Sequence, residues 1–396
     1  MHVVVIAHTR FPISQPFAGG LESLTWHLIH GLVDRGHRVS VFAAPGTEPI
    51  PGVEHLWPEQ LDLSAAALAD VSMPELGQMQ RHHAYLQLML SLAQRKDVDV
   101  VHTHALHHLP TAMAPMLTAP SVLTLHTPPT PWLESALTIA RASDGPQPLV
   151  TAVSGHTARA WSHLVDARVV PNGIDTGVWR PGPGGERLVW SGRIVPEKAP
   201  HLAVQIARAA GLPLTLAGPV SDEGYAERVL WPLCREADVE YAGHLRARDL
   251  AGLVGSSAAA LVTPAWDEPY GLVAAEALAC GTPVLALARG GLPEVVGESV
   301  GRLVPVTGND IPEGGSGPEA EATLAARAAA LLPEVLGISR EDCRAYAVEH
   351  HSLDRMVEDY VRVYEDAIGP RPRPVTTVDR SEKPEKAAGA KGERAA

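Results

Sequence analysis

Residues 268–276 read Glu268-Pro269-Tyr270-Gly271-Leu272-Val273-Ala274-Ala275-Glu276, and an apolar strand, Pro283-Val284-Leu285-Ala286, follows shortly. Two carboxylates stand eight residues apart, one before a Gly-Leu turn and one a little over a turn into the helix that the pattern predicts. Eight residues is close to two helical turns, so both acids are expected to look the same way. Gly271 leaves room for a ligand to approach the backbone where a Cβ would stand. Carboxylates accept bonds from hydroxyls, while the amides of a helix start face an anion. A ligand carrying both hydroxyls and phosphates, such as a sugar nucleotide, matches that chemistry.

The rest of the chain can supply the setting. It has 396 residues, 45% apolar and 19% charged. That length and composition suit two or three domains with sizeable cores. Lys and Arg total 32 against 45 acids, a formal charge of −13. A general basic surface for nucleic acid is therefore excluded, and a diphosphate must be met by a few placed cations and amides. Before residue 380 the lysines are Lys96 and Lys198, which singles out each of them. Cys234, Cys280 and Cys343 lie far apart without C-x-x-C spacing, as buried small residues do. Met1–Ala7 is too short for a signal segment, and no apolar run approaches the ~18–20 residues of a membrane span. A soluble, cytoplasmic protein is the expectation, with peripheral membrane contact and oligomeric state left open.

Strand-like runs alternate with helical stretches. Strands are expected at His2–Ala7, His37–Ala43, Val98–His102, Ser121–Leu125, Leu149–Val153 and Ala167–Val170. Leu21, Leu24, Leu28 and Leu32 repeat at helical spacing within Gly19–Arg35, and Gly36 ends that helix. Pro171–Gly185 reads as a linker. The alternation then restarts with strands at Arg187–Ser191, Leu214–Leu216, Val239–Tyr241, Ala258–Val262, Pro283–Ala286 and Gly301–Val304. The fold class is α/β, with two doubly wound Rossmann-like units in tandem. Thr307–Gly317 is expected to be a surface loop, and the charged segment 370–396 a disordered tail.

Three more stretches carry chemistry. Gly19-Gly20-Leu21-Glu22 follows the first strand and opens a helix with bare amides. Ser191-Gly192-Arg193-Ile194-Val195-Pro196-Glu197-Lys198 follows the first strand of the second half. Arg193 lies just past the strand and Lys198 is expected in the first helical turn, so the two can converge on one anion. His126 stands at the carboxyl end of a strand, where open α/β sheets place ligands. Against these, Asp97-Val98-Asp99 leads straight into a strand and reads as structural. His102, His104, His107 and His108 lack the further ligands a zinc site needs and read as a polar strand end. No G-x-G-x-x-G or Walker loop is present, so redox and ATPase readings lack their motif.

The run from Trp266 to Val296, with its E-x7-E, Ala-Leu-Ala-Cys-Gly-Thr-Pro-Val and Gly290-Gly291-Leu292-Pro293-Glu294, resembles the signature of the GT-B retaining glycosyltransferases of family 4. The resemblance implies two domains facing a central cleft. They would be an N-terminal acceptor domain over 1–170, a linker over 171–185 and a C-terminal donor domain over 186–350. A final helix, 351–368, would cross back to the first domain. It further implies that Glu276 holds ribose hydroxyls and Glu268 the sugar. Amides at Tyr270, Gly271 and Leu272 would hold phosphates, and Arg193 and Lys198 would neutralise the departing diphosphate without a metal. His126 would position the transferred sugar, Gly19 and Gly20 would face phosphates and acceptor, and Gly243-His244-Leu245 would lie against the nucleobase. Ser154, as a helix N-cap, and Asn172-Gly173 also match family landmarks. No cofactor is implied beyond a nucleoside-diphosphate sugar as co-substrate, uridine favoured over guanosine. The acceptor stays open. So do a nucleotide-sugar epimerase, a sugar-phosphate synthase and a non-catalytic partner of another transferase.

Overall fold

The computed structural model describes residues 1–59, 61–72, 74–306 and 317–369. The expected tail, and the expected loop apart from Gly317, lie outside the described residues. The first sheet comprises β1 (His2–Ile6), β2 (Arg38–Phe42), β3 (Val53–Leu56), β4 (Val100–Thr103), β5 (Ser121–Leu125), β6 (Leu149–Ala152) and β7 (Arg168–Val169). Its order is β3-β2-β1-β4-β5-β6-β7, and its ladders are parallel. The second comprises β8 (Leu188–Ser191), β9 (Leu214–Ala217), β10 (Val239–Tyr241), β11 (Ala259–Val262), β12 (Val284–Leu287) and β13 (Gly301–Val304). Its order is β10-β9-β8-β11-β12-β13, again parallel. The α/β class with two doubly wound sheets therefore holds. In each sheet the order reverses beside the first strand, between β1 and β4 and between β8 and β11. Ligand crevices open at the carboxyl ends of strands at such points.

Burial explains why the central strands form. Val3, Val4, Val5 and Ile6 are fully buried, as a strand covered on both faces requires. Strand β3 was not expected. It is a short, half-exposed edge, and its pairing to β2 through Val41↔His55 and Phe42↔Leu56 comes from the neighbouring strand, not from its own pattern.

The first helix runs Gly20–Asp34, and the last, Leu353–Ile368, lies against it. Met356, Val357, Tyr360, Val363 and Tyr364 recur on one face of the last helix. They are fully buried with Val3, Val5, Leu28 and Leu32, so the C-terminus completes the core of the first sheet. Backbone bonds from Ile174 N to His351 O (2.8 Å) and from Leu353 N to Ile174 O (2.9 Å) tie the two chain crossings together.

One local expectation fails. Lys198 does not lie in an α-helix. Pro196–Lys198 is a single 3-10 turn, and the helix starts only at Pro200. A residue before proline is disfavoured in the α region, and Ala199 takes φ 45° instead, breaking the chain between lysine and helix.

Gly31 marks the contact between the first and last helices. A Cβ there would lie 2.6 Å from Val357 Cγ2. Valine is stiff at χ1, so Gly31→Ala must push the helices apart. The expected loss is about 1–3 kcal/mol of unfolding free energy, read from denaturant midpoints.

Candidate functional site

A cleft of about 430 Å3 opens between the two sheets. The first half contributes His8, Arg10, Gly19, Gly20, Glu22 and His126 to its walls. The second contributes Arg193, Lys198, His244, Leu245, Glu268, Tyr270, Gly271, Leu272 and Glu276. Of the expected site residues, Gly243 is not on the wall. It takes φ 77°, and its carbonyl accepts the Gly218 amide at 2.8 Å, which places His244 and Leu245.

The two lobes are joined beside this cleft. Ser154 caps the helix Gly155–Ala160 by accepting from Thr157 N at 3.1 Å, and its hydroxyl donates to Pro269 O of the other lobe at 2.6 Å. Glu294, in the second half, accepts from Gly155 N (2.6 Å) and His156 N (2.7 Å), so its charge meets the positive end of a helix in the first. Tyr270 lines the cleft, and its hydroxyl is engaged within the protein. Its hydroxyl donates to Asn172 O at 2.8 Å and lies 2.8 Å from His351 Nδ1.

The E-x7-E carboxylates reach the same cleft from different elements. Glu268 precedes the helix, which runs Leu272–Ala279, so a shared helical face is not what brings it to Glu276. Gly271 turns the chain between them at φ 105° and precedes the helix without a side-chain cap, leaving the first amides to face a ligand. Glu268 is bonded. Lys198 Nζ lies 2.7 Å from each of its oxygens, and Trp266 Nε1 donates to Oε2 at 2.9 Å. Lys198 also stands 5.2 Å from the Trp266 ring centre, in reach of a cation–π contact. Lys198 is therefore half neutralised and held in place before any anion arrives. Arg193 is looser, 3.7 Å from Glu197 and more than a third exposed at its side chain (39%).

Glu276 is different. Its carboxyl has no bonded partner among the described residues, and burial pushes it up to about 8. Glu22, quoted above but given no role, is a buried acid in the same cleft. Burial raises it, opposed by its own backbone bond and by the charges of Arg193 and Arg10. His8 carries no sequence signal, and Asn172, a family landmark, joins it on the cleft wall. Both line the cleft with a buried atom lacking a partner, Nδ1 and Oδ1. Burial, with Arg10 and Arg81 nearby, holds His8 down at about 4. His8 belongs to no motif and Asn172 to a turn landmark without an assigned role, and the burial of both atoms is visible only in the fold.

The histidine group divides in two. His102 and His104 are fully buried and bonded to each other, so they form a core network and not a strand end beside the cleft. His107 and His108 instead meet His82, with one nitrogen from each ring within 4.8 Å of the others. The His107 and His108 rings are stacked at 20° and 4.4 Å, His107 Nδ1 accepts from Leu109 N at 3.2 Å, and the charge of Arg81 reaches His107. Asp97 is tied to Arg95 at 2.8 Å, and Asp99 accepts from His2 N at 2.7 Å.

Residues 18–178 match the family described as Glycosyltransferase Family 4, and residues 179–311 match Glycosyl transferases group 1. The chain is 38% identical over 155 residues to a D-inositol 3-phosphate glycosyltransferase of Mycobacterium bovis, a match covering 34% of this chain and 32% of that protein. The match thus spans about a third of that relative's length. Among solved structures, a glycosyltransferase of avilamycin A biosynthesis superposes with TM-score 0.64 at 23% identity, covering 93% of this chain and 98% of that one. Anabaena HepE, solved with UDP and glucose, superposes with TM-score 0.65 at 17% identity, covering 92% of this chain and 100% of that one. These two likenesses concern the fold. Among the described residues no single helix is long and apolar enough to cross a membrane.

A carboxyl raised by burial stays protonated in the folded chain while the unfolded chain ionises, so it lowers stability as pH rises between the two pKa values. Glu276→Gln removes that term. Its melting temperature should exceed that of the parent at about pH 8 and converge with it at about pH 4. A gain of equal size at both pH values in a thermal melt would contradict the assignment.

Proposed function

Because the chain belongs to the family 4 glycosyltransferases of the GT-B fold, we propose that its glycosyl transfer uses a nucleoside-diphosphate sugar and retains the anomeric configuration. One observation carries this reading: Arg193, Lys198, Glu268, Glu276 and His126 line a single cleft between the two sheets. Glu276, without a hydrogen-bond partner among the described residues, is suited to accept the ribose hydroxyls. The amides at the start of Leu272–Ala279 are suited to a diphosphate, with Arg193 at its flank. Glu268, oriented by Lys198 and Trp266, keeps lone pairs for hydroxyls of the sugar. A uridine carrier is favoured by the likeness to HepE, whose structure contains UDP and glucose.

In the step proposed, the bond from the anomeric carbon to the β-phosphate oxygen breaks. A bond from the acceptor oxygen to the same carbon forms on the same face, and the acceptor proton passes to the leaving phosphate. Negative charge grows on that phosphate, so a fixed cation lowers the barrier. Lys198 is preorganised for this by its two bonds to Glu268. The acceptor is a hydroxyl compound held by the first half, where Arg10, Phe11, Phe17 and Gly19 line the cleft.

Lys198→Ala is expected to lower kcat for transfer or slow hydrolysis of a UDP-sugar by about a hundredfold, about 3 kcal/mol in barrier. The far-ultraviolet dichroism should be retained. Undiminished turnover in that variant would refute the role given to the lysine.

A further inference from the structure

The geometry points to a proton-ordered relay, running from the Leu123 carbonyl through Thr151, Thr124, His102 and His104, that fixes His126 as a hydrogen-bond acceptor toward the cleft. The relay rests on the reading above only in that the group His126 meets is the transferred sugar. Its direction follows from counting hydrogens along contacts present in the fold, and at one link from keeping two lone pairs apart.

Thr151 Oγ1 donates to Leu123 O at 3.3 Å, and a carbonyl can only accept. Each hydroxyl has one hydrogen. The hydrogen between Thr151 Oγ1 and Thr124 Oγ1, 2.7 Å apart, therefore belongs to Thr124. Thr124 must then accept in its other two contacts, from His102 Nε2 at 2.7 Å and from the Tyr360 hydroxyl at 3.2 Å. His102 thus carries its proton on Nε2. Its bare Nδ1 has one lone pair, taken by the Tyr364 hydroxyl at 2.6 Å and shared in a three-centre contact with His104 Nε2 at 3.2 Å, where a second bare nitrogen would set lone pair against lone pair. His104, protonated on Nε2, offers Nδ1 to His126 Nε2 at 2.9 Å. His126 is left with its proton on Nε2 and a free lone pair on Nδ1.

Both ends of this chain are constrained. His102 and His104 are fully buried, where a second proton on either ring is strongly disfavoured. His126 lines the cleft, and its Nδ1 has no partner among the described residues. A neutral ring showing only a lone pair accepts from an O–H. It offers nothing to a phosphate oxygen, a carbonyl or an ether, all of which are acceptors themselves. The subsite beside His126 therefore selects a free hydroxyl and rejects the same position when fluorinated or methylated. Thr124, Thr151, His102 and His104 are positioning residues, and the last helix joins the relay through Tyr360 and Tyr364.

The test reads imidazole 15N shifts in the full-length, unliganded protein. Wild type should show His126 as a single tautomer, with Nε2 protonated and Nδ1 bare. Thr151→Val keeps the side-chain shape but removes the terminal donor and acceptor, so Thr124 is free to turn its hydrogen toward His102. His126 should then populate the reversed tautomer, and Thr151→Ser should restore the original. In turnover, Thr151→Val should lower kcat/KM for the sugar donor by about fivefold to tenfold, with affinity for the nucleoside diphosphate alone unchanged. A protonated Nδ1 on His126 in wild type, or a tautomer indifferent to Thr151→Val in a folded protein, overturns the relay. Since the shifts need no substrate, correct tautomers without any sugar transfer would overturn the proposed function and leave the relay standing.

Discussion

The docking of the last helix beneath the first sheet is the constraint on which the rest of the structure depends. Met356, Val357, Tyr360, Val363 and Tyr364 bury themselves completely against Val3, Val5, Leu28 and Leu32. The chain reaches this position only after building the second sheet, so the helix returns across the linker and ties the lobes at Ile174 and His351. Burial of this kind is worth about 1.5–3 kcal/mol for each large apolar side chain, more than a surface ion pair contributes. The same helix places two tyrosine hydroxyls among the threonines and histidines behind His126. One packing event thus closes the core, sets the separation of the lobes and furnishes the back of the cleft.

The charges of the cleft are arranged for exchange and not for a standing attraction. Lys198 and Glu268 satisfy each other, and Arg193 has Glu197 beside it. Glu276 and Glu22 are acids raised by burial. An incoming pyrophosphate would find cations already held in position, and an incoming ribose would find a carboxyl with no partner among the described residues. An unpartnered acid inside a fold lowers stability, and such groups concentrate where a ligand completes them. A net charge of −13 makes this local arrangement the more necessary, since the protein's overall field repels an anion.

Much of the fold was legible because both sheets announce themselves in unbroken apolar runs. His2–Ile6, Ser121–Leu125 and Ala259–Val262 lie within a residue or two of where their patterns put them. The edge strand Val53–Leu56 was not legible, since its pairing is supplied by β2. The short turn Pro196–Lys198 looked like a helix start because proline favours that position; the second proline, Pro200, decided otherwise. Glu268 and Glu276 were found together for an incomplete reason. They share a cleft because Gly271 turns the chain between them, and only Glu276 is helical.

By itself the sequence determined the local chemistry: which segments become strands, where glycine permits a turn, and which residue types stand at strand ends. These depend on neighbours within a few positions, so a linear reading reaches them. Only the tertiary structure decided who partners whom. The bond of Lys198 to Glu268 spans 70 residues, and that of His102 to Tyr364 spans 262. Whether a buried carboxyl or imidazole is paired, and which of its atoms faces the cleft, depends on distances of a few ångströms between segments remote in the chain. Those distances are set by the packing of the two sheets and the returning helix, not by any spacing along the backbone.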